Sequence, residues 1–476
     1  MSQTALTISQ KDHFQGNFGE VYRSSALFWA RTDASVRTTI SLTNYWKYKN
    51  NTEVAVLLNA RTLDGRLAGR TRVDFGASEV FEYSPPAGFE GSIEVEAFAA
   101  KNMRIPYAAV MAVYECADSV SMVHSYSRAY SQHEVEDGRT ITVGEESCWT
   151  LRDDAQQESF GVFHNGPVPA PAQVARLSVR NATGEERTAA IRLPELRPFE
   201  TVVVVPGEHV PALSAFLAGQ AGNARLSFRV EASFTRMLCA VRRRDGTQLQ
   251  VTHSNFDYSR HRTDHVEVRA LKAFMALPRY GDSAIRREVV VYPDADPGEY
   301  SVGSDEQPFV PGRILARGCG PAADELVFAR RDGALPTRIV TGMRLYPGAA
   351  GVIPAECSLG VVHGERPRKH FAWMLVSARL ACELSWVDYR QVYGGCPDDA
   401  EVVFHLYTAR RKEPWKKSLR YGELPAAGHA TLGGLFGEAV ACGDEFGYLT
   451  AWCSYGGLQW FSALRKKGAI TIEHAF

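Results

Sequence analysis

The chain has 476 residues with 53 basic and 54 acidic side chains, so its net charge of −1 gives no bulk attraction to nucleic acid or an anionic membrane. A hydrophobic fraction of 45% beside 22% charged residues is the balance of a soluble globular protein, and the length exceeds one ordinary domain. No apolar run approaches the roughly 20 residues that span a bilayer, and Met1 to Gln10 lacks the basic start and apolar core of a secretory leader.

Along the chain, short strand signals dominate. Ile40 to Asn44 and Glu53 to Asn59 flank a polar stretch, Tyr45-Trp46-Lys47-Tyr48-Lys49-Asn50-Asn51. That pattern predicts a hairpin tip presenting Trp46 and Tyr48 as a binding loop. Ile93 to Ala97 and Met111 to Val113 are further strands, and they lead into Val123-His124-Ser125-Tyr126. Leu177 to Asn181 and Thr188 to Leu193 predict a second hairpin, followed by the β-branched run Thr201 to Val205. Val210 to Gln220 predicts a short helix, with Pro211 near its start and Leu213, Phe216 and Leu217 on one side. The strand leading to Thr252-His253-Ser254 comes next, then Arg287 to Tyr292 and Phe371 to Val376. Thr431 to Ala439 predicts another short helix, and Ala469 to Ile472 a last strand before His474. Asp64-Gly65, Asp137-Gly138, Asp245-Gly246 and Asp332-Gly333 are hairpin-type turns, because Gly accepts positive φ at little cost.

The chain also repeats itself. Val123 to His133 returns as Thr252 to His261: His-Ser, a short spacer, Tyr-Ser, a polar residue, then His. Weaker echoes are Ser385-Trp386-Val387-Asp388-Tyr389 and Glu473-His474-Ala475-Phe476. Leu226 to Arg242 aligns with Leu449 to Arg465 without a gap, pairing Leu238 with Phe461. Self-similarity at this period signals repeated structural units. The expectation is an all-β fold of tandem β-sandwich-like units with short helical insertions. Their expected spans are 1–145, 146–268, 269–396 and a short C-terminal 397–476.

Candidate chemistry is sparse. His124 with His133, or His253 with His261, could form a metal or acid/base site beside Tyr130, Asp257 and Tyr258. With eight and seven residues between them, the histidines lack the tight i, i+4 spacing of a helix face or i, i+2 spacing of a strand face. On the alignment with Ser385, the third copy has Leu384 in place of the His. A motif recurring in each unit is more often scaffold, and its histidines meet only if the units close around an axis. The nine cysteines include no Cys-X-X-Cys, and Cys116, Cys239, Cys382 and Cys453 sit in apolar strands, which predicts reduced buried thiols. Cys319, in Arg-Gly-Cys-Gly-Pro, reads as an exposed turn. Phosphate-loop, dinucleotide, nucleophile-elbow and zincin motifs do not occur. Arg410 to Tyr421 is a basic cluster in which Trp415 and Tyr421 could stack on a ligand. Tyr455 and Trp460 could form a sugar platform, with Gly456 and Gly457 admitting a ligand or a second backbone.

The leading expectation is a non-catalytic structural repeat protein acting in binding or assembly. Its partner is a protein or a second copy of itself, and carbohydrate is the second ligand class. Nucleic acid, a membrane span, a cofactor and a metal are not expected. The alternative is a carbohydrate-active or metal-assisted enzyme using His253, Asp257, Tyr258 and His261. Missing leader and unpaired thiols predict a cytoplasmic location, with leaderless export the alternative.

Overall fold

A computed structural model describes residues 21–475 except 51, 77, 101–108, 125, 131–146, 257–271, 293–299, 304–314, 321–322, 332–334, 336–340 and 438–444. Among these residues the fold is nearly all β, in eight separate antiparallel sheets. Among the described residues no helix is long and apolar enough to cross a membrane.

The eight sheets form four pairs. The first comprises β1 (Tyr22–Thr32), β2 (Val36–Thr43), α1 (Tyr45–Asn50), β3 (Ala55–Thr62), β4 (Leu67–Val73), β5 (Val80–Tyr83), β6 (Phe89–Ala99), β7 (Val110–Cys116), β8 (Val120–His124) and β9 (Ser127–Ala129). The second comprises β10 (Ser147–Leu151), β11 (Gln157–His164), β12 (Gln173–Arg180), β13 (Glu186–Leu193), β14 (Thr201–Val204), α2 (Pro206–His209), α3 (Leu213–Leu217), β15 (Gly222–Ser227), β16 (Ser233–Thr235), β17 (Leu238–Arg243), β18 (Leu249–His253) and β19 (Asn255–Phe256). The third has β20 (Lys272–Ala276), β21 (Arg286–Val291), β22 (Tyr300–Val302), β23 (Leu315–Cys319), β24 (Glu325–Arg330), β25 (Thr341–Tyr346) and β26 (Ala355–Leu359). The fourth has β27 (His370–Ser377), β28 (Ala381–Asp388), α4 (Arg390–Tyr393), β29 (Glu401–Thr408), β30 (Trp415–Arg420), β31 (His429–Thr431), α5 (Leu432–Phe436), β32 (Phe446–Cys453), β33 (Leu458–Lys466) and β34 (Ala469–His474).

Among the described residues the inner sheets share one strand order four times, and the outer sheets share a three-strand core. The outer sheets run β9-β1-β6-β3-β4, β19-β10-β15-β12-β13, β20-β24-β22 and β27-β32-β29-β30. The inner sheets run β5-β2-β7-β8, β14-β11-β17-β18, β23-β21-β25-β26 and β31-β28-β33-β34. In the first two units the chain returns after the last inner strand to pair with its own first strand, as β9 on β1 and β19 on β10. The third unit does the same through a bridge between Val362 and Phe274. The third copy of the repeat is therefore Leu359-Gly360-Val361-Val362-His363, not the segment at Ser385. That segment lies in β28, at the middle of the fourth inner sheet. Strands β27 and β28 precede residue 397 yet pair with β32 and β33, so the fourth sheet pair begins at His370. Strand β16 of the second unit also pairs with β9, which extends the first outer sheet to six strands.

The inner sheets are apolar on both faces, and this explains their near-continuous hydrophobic runs. In β11, Phe163 packs inside its own sandwich with Trp149 and Leu177, whereas Phe160 and Val162 join the core of the first unit. In β33 and β34, Trp460 and Leu464 face the fourth sandwich, whereas Phe461, Ile470 and Ile472 join the core of the third. Period-two alternation thus splits each inner strand between its own core and a neighbour's. The helices are shorter than their sequence patterns. Ala218 and Gly219, at φ 50° and 74°, turn the chain left-handed and end α3, and the Thr431 Oγ1 caps α5 by accepting the Gly434 N–H.

Candidate functional site at the axis

The four last inner strands meet. Strand β8 touches β18 and β34, and β26 touches the same two, which closes the units into a cycle in chain order. Side chains stitch the seams. Ser119 and Ser121 Oγ accept the N–H groups of Leu249 and Val251 at 2.9 and 2.8 Å. Thr471 Oγ1 accepts the Met122 N–H at 3.2 Å, and Gln250 Nε2 donates to the Ile470 carbonyl at 3.1 Å. First and fourth units also meet through Tyr448 Oη on the Ser41 carbonyl (2.6 Å) and Lys412 on Glu79 (2.9 Å).

Each axial strand ends at an equivalent residue: His124, His253, Leu359 and His474, opposite Met111, Leu238, Thr341 and Phe461. Closing the cycle therefore gathers three imidazoles. The His124 ring lies 4.4 Å from that of His253 and 5.4 Å from that of His474, centroid to centroid, both edge-on. His124 Nδ1 is 3.2 Å from Glu473 Oε2. Donor atoms of His124, Glu473 and His474 all lie within 4.8 Å of one another, and among the described residues these three are a set that could hold a metal.

His124, His253 and Glu473 are buried, and His474 is half-buried. Burial holds the His253 imidazole well below its ordinary pKa, and the nearby Arg236, His124 and His474 push it the same way. It stays neutral, donating Nδ1–H to the Ser254 carbonyl at 2.9 Å beside the Arg236 guanidinium at 3.3 Å. Burial lifts the Glu473 carboxyl to about 7, opposed in part by His474. The arrangement offers nitrogen and carboxylate donors on buried and half-buried side chains.

The sequence-predicted residues are placed differently from one another. Trp46 is not at a hairpin tip. β2 and β3 belong to different sheets, α1 joins them, and Trp46 is 2% exposed in the core while Tyr45 reaches Phe371 of the fourth unit at 6.4 Å. Tyr48 lies on α1. Trp460 is wholly buried against Trp386 and Phe404 and cannot offer a ring to a sugar. Tyr455 is buried too and donates its hydroxyl to the Gly394 carbonyl at 2.6 Å. Gly456 admits a second backbone: an added Cβ would stand 1.8 Å from the Pro367 carbonyl oxygen. Trp415 and Tyr421 are half-buried on and after β30, with the Arg411 guanidinium over the Trp415 face at 4.2 Å. His253 reaches the axis, whereas Asp257, Tyr258, His261 and His133 lie outside the described residues. Cys319 is half-buried on β23, not in an exposed turn, and burial raises its thiol pKa. The thiols of Cys116, Cys239 and Cys357 are likewise buried and raised.

Sequence reasoning passed over Glu473 and Arg236. The terminal Glu473-His474 echo was the available signal, since it sits at the repeat position of His253. A second polar cluster lies between the second and third units. There the buried Arg344 reaches Thr150 at 2.6 Å and the half-buried Glu288 and Glu356 at 3.0 Å each. One guanidinium serves both carboxylates, and the Tyr292 and Tyr346 hydroxyls donate to them as well, which marks the cluster as part of the seam.

A scan against protein-family models finds no match to the chain, and a search of curated proteins finds no significant relative.

Proposed function

We propose that the chain is a non-catalytic β-sandwich repeat protein acting in assembly, with protein partners that include further copies of itself. The supporting observation is closure of four like sheet pairs into one cycle, with the inner sheets spent on contacts between units. A single chain thereby builds a body that would otherwise need four subunits. The outer edge strands face solvent: most residues of β4 and β13 are exposed, and exposure alternates along β30. Edge strands carry unpaired backbone groups that another chain can meet. Apolar side chains stand on or beside such edges, including Leu67 at 48% and Val174 at 63% exposure.

Light scattering and sedimentation across a concentration series test this reading. Assembly predicts a mass above the 52.5 kDa of one chain that grows with concentration. A strict monomer at the highest concentration, with no partner bound, contradicts it.

A further inference from the structure

We propose that His124, Glu473 and His474 bind one divalent transition-metal ion of the zinc type, which staples the first unit to the fourth. This stands apart from the assembly reading and rests on different residues. Two imidazole nitrogens and a carboxylate oxygen are a donor set that zinc takes, with a fourth position left for water. Bonds of about 2.0–2.1 Å in a tetrahedron put ligand atoms roughly 3.4 Å apart. The 3.2 Å between His124 Nδ1 and Glu473 Oε2 is already such an edge, and all three donor atoms lie within 4.8 Å.

The ring orientations also suit a metal. His474 directs Nδ1 at the Ala475 carbonyl at 3.3 Å. A carbonyl can only accept, so that nitrogen carries the proton and Nε2 keeps its lone pair, as in the carbonyl-oriented histidines of metal sites. His253 is not a fourth ligand. Its Nδ1–H is held by the Ser254 carbonyl and its ring by Arg236, and it meets His124 only ring to ring, edge-on at 4.4 Å. The ligands are 349 residues apart in sequence, so the ion would bridge the two ends of the cycle.

The full-length chain, stripped with a chelator and then dialysed against zinc, is assayed by elemental analysis, by the visible spectrum of a cobalt substitute and by thermal unfolding. The expected result is about one ion per chain, a four-coordinate cobalt spectrum, and a higher unfolding temperature with zinc. His474→Gln, at the half-buried ligand, and Glu473→Gln should each weaken binding at least about tenfold. The two variants are read only where circular dichroism shows them folded, and the wild-type measurement stands without them. A folded wild-type chain that retains no zinc overturns the proposal, as does zinc retained equally by both folded variants.

Discussion

Replacing Tyr126 by Phe removes one oxygen from a relay that ties the first unit to the second. The Trp29 N–H donates to Tyr126 Oη at 2.7 Å, and Tyr126 donates to His164 Nε2 at 2.7 Å. His164 Nδ1–H in turn donates to Thr201 Oγ1 at 2.9 Å. Tyr126 and His164 are fully buried, so water cannot replace the lost hydroxyl. Burial holds the His164 imidazole neutral, its pKa lowered to about 3, and the tautomer with Nε2 unprotonated gives the Tyr126 hydroxyl its acceptor. The variant therefore orphans one donor and one acceptor. At about 1–3 kcal/mol for each unsatisfied group, a loss of about 3 kcal/mol is expected. Urea unfolding followed by tryptophan fluorescence reads it, because Trp29 stacks on Tyr114 at 5.6 Å and meets Phe160 edge-on at 5.5 Å. The midpoint should fall with the slope unchanged. Adding His164→Leu should cost less than the sum of the two single changes, with about 1 kcal/mol or more of coupling. A Tyr126→Phe loss under about 0.5 kcal/mol, or strict additivity, refutes the relay.

Gly456→Ala should destabilise by about 1–3 kcal/mol, since its Cβ would displace the Pro367 carbonyl; an unchanged thermal midpoint refutes that close approach. Burial lifts the Glu82 carboxyl, which accepts the Phe446 N–H, from its ordinary 4.5 to about 7. A raised carboxyl favours folding below its unfolded pKa, and that contribution is lost as pH rises through about 7. Glu82→Gln should therefore exceed the wild type in stability at pH 8 and not at pH 4, and parallel stability profiles across that window refute it.

The repeat was legible because the same local pattern recurs. The gapless alignment of Leu226–Arg242 with Leu449–Arg465 puts Leu238 and Phe461 at one structural position, opposite His253 and His474. The all-β class was legible from β-branched runs broken by Asp-Gly turns. Convergence of the histidines was not, because which edge strands meet is decided by packing between units far apart in sequence. Trp46 shows the same limit: its segment has no local apolar partner, and part of the core that surrounds it comes from the fourth unit. The third repeat was misplaced because its axial strand ends in Leu359, which carries none of the polar signature. Aromatic residues in the C-terminal strands suggested a sugar platform, yet inner-sheet strands bury both faces, and rings such as Trp460 are spent on packing.

Closure of the cycle rests on contacts between the first and fourth units, and these include lysine–carboxylate ion pairs. Asp118 Oδ1 lies 3.1 Å from Lys467 Nζ, and Glu79 Oε1 lies 2.9 Å from Lys412 Nζ. Zero-length carbodiimide coupling followed by peptide mass spectrometry, on a mixture of light and heavy isotope-labelled chains, reads both. Closure within one chain predicts amide links between residues 118 and 467 and between 79 and 412, each joining peptides of the same label. An open string of sandwiches gives neither link, and links found only between light and heavy peptides would show that the cycle closes between chains.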